Sequence, residues 1–259
     1  MTNSSKLPSS SPEASTSAKR RGPGIRIFAA LIAFVVVAGG LAIASVIHRR
    51  DENQSLQPLR LSGIPANVPT SLANLMALSP VPAKTVAGFS LTDQNGHAVT
   101  LNDLKGRAVV LEFMDTHCTD ICPIVSQEFV DAYHDLGTAA AHVVFLAINV
   151  NQYHARVSDT AAFSREHGLD SIPSWHFLTG SVPALRTTWR NYGVDVVAPN
   201  PNADVIHSSL IFFIDPQGRL RYLGNPTDDH TSSGAAYLPT NQLTGWGQGI
   251  ALVARSLVS

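Results

Sequence analysis

AVVLEFMDTHCTDICP, residues 108–123, joins a β-rich apolar run to both cysteines of a 259-residue chain. Residues 108–113 carry branched and aromatic side chains without interruption until Glu112, the pattern of a strand buried on both faces. Pro123 follows the second cysteine, and proline is tolerated in a helix's first turn because its missing N–H has no partner there. The apolar spacing that follows predicts a helix to about Leu136. Strand, loop and helix in this order place Cys118 and Cys122 at the carboxyl end of a strand, where open α/β sheets gather their sites.

Working outward, the same alternation repeats. Short alternating runs at 89–91 and 98–101 flank Asn95-Gly96, a strong hairpin signal. Residues 142–150 (HVVFLAINV) read as a second buried strand, 159–167 as a helix stopped by Gly168, and 175–178 as a third strand. A helix over 182–192 ends at Gly193. Residues 209–214 and 220–223 then form a strand–turn–strand around Asp215-Pro216-Gln217-Gly218, and a terminal helix covers roughly 238–257. Strands alternating with helices and closed by a hairpin and a helix predict an α/β thioredoxin-like three-layer sandwich with an N-terminal β-hairpin.

The first third of the chain has a different character. Residues 27–47 are 21 uncharged apolar residues, long enough at 1.5 Å per residue to cross a bilayer. Ala42-Ile43-Ala44 resembles a cleavage site, but the run is longer than a signal peptide's apolar core, which favours an uncleaved transmembrane helix. Lys19, Arg20, Arg21 and Arg26 precede it, so the positive-inside rule puts the N-terminus in the cytoplasm and the rest of the chain outside it. The expected layout is a disordered tail at 1–24, a membrane anchor at 25–48, a Pro-rich tether at 49–82 and the folded domain at 83–259. From Asp51 onward, eleven Lys/Arg face eighteen Asp/Glu, and no basic patch with interleaved aromatics argues for nucleic acid as a partner.

The cysteine pair admits three uses. A structural disulfide closing so short a loop removes on the order of 2 kcal/mol of chain entropy, against about 4.7 for a hundred-residue loop. A redox dithiol at a helix N-terminus gains a lowered pKa, although the usual spacing has two intervening residues and this loop has three. A metal clamp is the third. Two cysteines are too few for a typical structural zinc site or an iron–sulfur cluster, whereas Cu(I) accepts two thiolates and one imidazole. His207, directly before the apolar run SLIFFI, is the histidine best placed to meet the cysteine loop, with His117 as a weaker candidate beside Cys118. His97, His134, His142, His154, His167 and His230 read as solvated, and His176 as a half-buried strand residue. Asp120 reads as the cap of the following helix.

FSLTDQNGHAVTLNDLKGRAVVLEF, THCTDICP, WHFLTG and VIHSSLIFFIDPQGRLR, in this order between Phe89 and Arg221, resemble the SCO/SenC family of copper-binding proteins required for synthesis of cytochrome c oxidase. The resemblance implies a thioredoxin-like fold and a copper ion held by Cys118, Cys122 and His207. It also implies delivery to the copper-centre subunit of the oxidase, or to another copper acceptor, by a protein anchored in the membrane. Asp120 matches an acidic residue common in the family's motif. Thr119 stands where the family usually has proline, and Asp115 where an aromatic is common. The rival reading is an extracytoplasmic thiol–disulfide oxidoreductase in which Cys118 and Cys122 form the reactive pair.

Overall fold

The computed structural model describes residues 62–259. Its centre is a six-stranded mixed sheet in the order β1-β10-β9-β4-β5-β6. The strands β4 (Ala108–Met114), β5 (Val143–Asn149) and β6 (Trp175–Leu178) run parallel, with Ala108 opposite Val143 and Met114 opposite Asn149. β9 (Ile211–Ile214) lies antiparallel against β4, followed by β10 (Arg219–Gly224) and β1 (Ser79–Thr85) at the edge. β4 and β5 are buried along their whole length, as the unbroken apolar runs require.

Period-two alternation sends neighbouring residues of β4 into different cores. Ala108, Val110 and Met114 join one with α2 (Ile121–Leu136) and α5 (Thr240–Val258); Val109, Leu111 and Phe113 join the other with α4 (Val182–Tyr192) and the hairpin β2 (Ser90–Thr92)–β3 (Ala98–Thr100). The expected three layers and N-terminal hairpin are present. α3 (Val157–Glu166) precedes β6 and contributes Phe163 to the first core. At Gly247 of α5 an added Cβ would stand 2.7 Å from the Cβ of Asp131, so α5 lies on α2 at a distance only glycine permits.

Three expectations are corrected. The tether does not extend to residue 82: α1 (Thr70–Leu75) and β1 belong to the folded unit, and Val68, Ala73, Met76 and Leu78 are buried in the first core. The prolines that suggested a linker have structural places, Pro69 at the N-cap of α1 and Pro80 and Pro82 in an edge strand, where a lost ladder N–H is tolerated. α2 begins at Ile121, with Pro123 its third residue, still among the N–H groups that lack intrahelical acceptors. His207 does not lead directly into the sheet. It lies in a separate hairpin, β7 (Val196–Val197) paired with β8 (Ile206–His207), with residues 208–210 between it and β9.

No helix among the described residues is long and apolar enough to cross a membrane. The expected anchor at 25–48 and tail at 1–24 lie outside the described residues. The described residues belong to one compact unit.

Candidate metal centre

β4 delivers the chain into the loop 115–120, which is held by its own polar groups. Asp115 is buried; its Oδ1 accepts from the His117 backbone N–H at 2.9 Å and from Asn151 Nδ2 at 2.8 Å, and its carbonyl accepts the Cys118 N–H at 3.2 Å. The His154 carbonyl accepts from Asn149 Nδ2 at 2.8 Å, and the His154 ring stacks on that of His117 at 3.6 Å between centroids. The segment after β5 is therefore the floor on which the cysteine loop rests.

Both cysteines are free thiols, Cys118 half-buried and Cys122 buried. Cys118 Sγ accepts the backbone N–H of Cys122 at 3.3 Å, so the sulfur takes the capping position that sequence assigned to Asp120. The hydrogen bond from the Cys122 thiol, with help from backbone N–H groups, pulls the Cys118 pKa below the usual thiol value. The same bond and burial push Cys122 well above it. Cys118 is thus the sulfur that first becomes a thiolate.

Asp120 makes no side-chain cap. Its Oδ1 lies 3.0 Å from Nε2 of His230, beside β11 (Asp229–His230) and β12 (Ala236–Tyr237). His230, read from sequence as solvated, therefore joins the site, as does His154. His176 is half-buried as expected, with Nδ1 3.2 Å from Asp93 Oδ2.

A cavity of about 380 Å³ is lined by Cys118, Asp120, His207, Ser209 and His230 among others. The structure brings the two sequence-selected elements, the cysteine loop and His207, to one opening. Among the described residues, the ligand atoms of Cys118, Cys122 and His207 do not all lie within 4.8 Å of one another; Asp120, Asp228 and His230 do. Burial lowers the His207 pKa, which makes the ring neutral at pH 7. Its Nδ1 is 3.1 Å from the Ser208 carbonyl, an acceptor only, so Nδ1 carries the proton and Nε2 keeps the free lone pair. Two sulfur donors and a neutral imidazole are a soft set suited to Cu(I).

Below the site, two carboxyls occupy the first core. Glu112 Oε1 accepts from Ser209 at 2.8 Å while Oε2 has no partner, and burial raises its pKa to about 8. Glu128 on α2 has neither oxygen satisfied, and burial, with Glu112 adding to it, raises its pKa well above the ordinary value. The lone acid in AVVLEF was the sequence signal for the first; nothing in the sequence pairs it with the second.

The SCO1/SenC family model matches residues 79–236, a span that contains the cysteine loop, the β7–β8 hairpin and every strand of the central sheet. The chain belongs to the SCO1/SenC family. It is 26% identical over 137 residues to the SCO1 protein homolog of Bacillus subtilis, covering 52% of this chain and 70% of that one. It is 30% identical over 149 residues to Protein SCO2, mitochondrial, of Saccharomyces cerevisiae, covering 55% of this chain and 48% of the yeast protein. Among solved structures, Bradyrhizobium japonicum ScoI with copper bound superposes with a TM-score of 0.52 at 22% identity, over 67% of this chain and 99% of that one. That likeness establishes a shared fold.

Proposed function

We propose that this SCO1/SenC protein is a membrane-anchored copper chaperone that binds Cu(I) through Cys118, Cys122 and His207 and hands it to an oxidase copper centre. The observation that carries this reading is the shared opening of Cys118 and His207, with one sulfur tuned toward thiolate and one ring nitrogen left free. The copper in the Bradyrhizobium relative supports the same metal here. The apolar run 27–47 with its basic flank supports the anchor, with the folded domain on the far side of the membrane.

Loading begins at Cys118, whose sulfur is already an acceptor. Cys122 lies in the first turn of α2 and supplies the second thiolate as its proton leaves. His207 closes the site by moving with the short β7–β8 hairpin, which is paired over only two residues per strand. Three ligands leave the metal open to attack, so an acceptor's donors replace them stepwise and copper is never released free.

The test is an anaerobic Cu(I) titration, against a competing chelator, of the reduced chain from Leu59, a start that keeps α1 and β1 in place. One copper per chain, with affinity weakened about 100-fold or more by His207→Ala, supports the reading. Unchanged affinity in that variant removes His207 from the site.

A second reading, thiol–disulfide exchange, is favoured by one observation: Cys118 has the lowered pKa and Cys122 the raised one, the asymmetry of an attacking and a resolving thiol. Fast reduction of an oxidised partner by a chain that binds no copper is the result that selects it.

A further inference from the structure

The hairpin that carries His207 has two faces. Directly opposed residues of an antiparallel pair share a face, so His207 stands beside Val196 on one side while Ile206 and Val197 stand together on the other. Those two are 69% and 56% exposed, which is unusual for an adjacent apolar pair. Tyr153, 41% exposed, extends the strip, its hydroxyl donating to the Ala198 carbonyl at 3.2 Å. Ile206 also lines the cysteine cavity, so the strip starts at the rim of the metal centre.

At its far end the strip runs into a second cavity of about 440 Å³, walled by Val196, Val197 and Ala198 and by Arg186 and Arg190 of α4. The two arginines are four residues apart on one helix face, about 6 Å along its axis. Among the described residues neither has a carboxylate within 4.0 Å, although Asp195 lines the same cleft. Arg186 donates to Gln152 Oε1, whose amide nitrogen donates to Ala198 O, and Arg190 donates to Thr187. Gln152 adjoins Asn151, which holds Asp115 under the cysteine loop. Strand β8 thus borders the metal cavity and strand β7 a cleft holding a pair of unneutralised guanidinium groups, with the bare apolar surface of Ile206 and Val197 between.

We propose that this strip and cleft form the docking surface for the protein that accepts the metal, and that this acceptor presents an apolar patch bordered by carboxylates. The inference rests on the chaperone reading and adds the face used and the chemistry of the partner. Apolar contact at Val197 and Ile206 supplies adhesion next to the metal, and the guanidinium pair fixes orientation by gripping carboxylates in its fork geometry. A partner seated there bears directly on the hairpin that moves His207.

The test follows backbone amide NMR shifts of the reduced, metal-free chain from Leu59 as the apo copper-centre domain of the same organism's oxidase is added. Shifts are expected at Tyr153, Val196–Val197, Ile206 and the exposed face of α4. Arg186→Glu with Arg190→Glu is expected to weaken docking about tenfold at low salt, and Arg186→Lys with Arg190→Lys, which keep the charge but lose the fork, to weaken it by less. High salt is expected to weaken the wild type and to strengthen the charge-reversed variant by screening its repulsion from the partner's carboxylates, and Val197→Ser to weaken docking about fivefold at any salt. No docking by the wild type, shifts confined to another face, or Glu-pair binding within twofold of wild type overturns the proposal. The copper titration is read separately: copper bound without docking through this face sinks this inference alone, and no copper bound sinks the parent reading.

Discussion

Glu112 gives the sharpest test of the interior beneath the site. It is 1% exposed, with one oxygen bonded to Ser209 and the other to nothing, and its pKa stands at about 8 against an ordinary 4.5. Between those values the unfolded chain has lost the proton and the folded chain has kept it. Stability therefore falls as pH rises through that window, by about 1.4 kcal/mol per pH unit. Below pH 4.5 both states are protonated and no cost arises; above about 8 both are ionised and the cost is constant. Glu112→Gln keeps an oxygen for Ser209 and removes the charge. From pH 5 to pH 7 the wild type should lose about 3 kcal/mol more than the variant. Between pH 5 and pH 7 Glu112 is uncharged in the folded chain and does not act on Glu128, so the Glu128 contribution cancels in that window. The assay is urea unfolding of the reduced chain from Leu59 at pH 5, 6, 7 and 8. Parallel stability curves for the two proteins would refute the assignment of a buried, neutral carboxyl to Glu112.

Other expectations concern the thiols and the helix packing. In the reduced, metal-free chain Cys118 should be alkylated by iodoacetamide at least about tenfold faster than Cys122, since it is the more exposed and has the lowered pKa; mass spectrometry of partially labelled protein reads the ratio, and equal labelling contradicts the asymmetry. Gly247→Ala forces a methyl against Asp131 where α5 crosses α2 and should cost about 1–3 kcal/mol in urea unfolding. A neutral result there would mean that the two helices separate freely.

Much of the fold was legible because its strongest signals are local. The runs of β4 and β5 are apolar throughout, Gly96 takes φ 84° in the hairpin turn, and Gly193 ends α4 in the left-handed region at φ 70°. Strand and helix type follow from such features without knowledge of any partner. The segment 62–82 was misread because its prolines and small residues look like a linker until β10 pairs with β1 and α5 covers α1. Those contacts join residues more than a hundred positions apart.

The site shows the same division. Cys118 and Cys122 are marked by their spacing, and His207 by its place before an apolar strand. The β7–β8 pairing, two residues on each strand, is too short to leave a periodic signal. Asp120 has the sequence of a helix cap yet turns to His230, because Cys118 Sγ already takes the N–H of Cys122. Asp115 looked like a departure from the family pattern; with Asn151 it forms the polar frame that holds the loop.

The three-ligand site is read out by the copper K-edge X-ray absorption spectrum of the reduced chain loaded with one Cu(I). Two sulfur scatterers and one imidazole nitrogen are expected in the wild type, and loss of the nitrogen in His207→Ala with both sulfurs retained. A wild-type spectrum fitted by sulfur alone, or one that His207→Ala leaves unchanged, contradicts it.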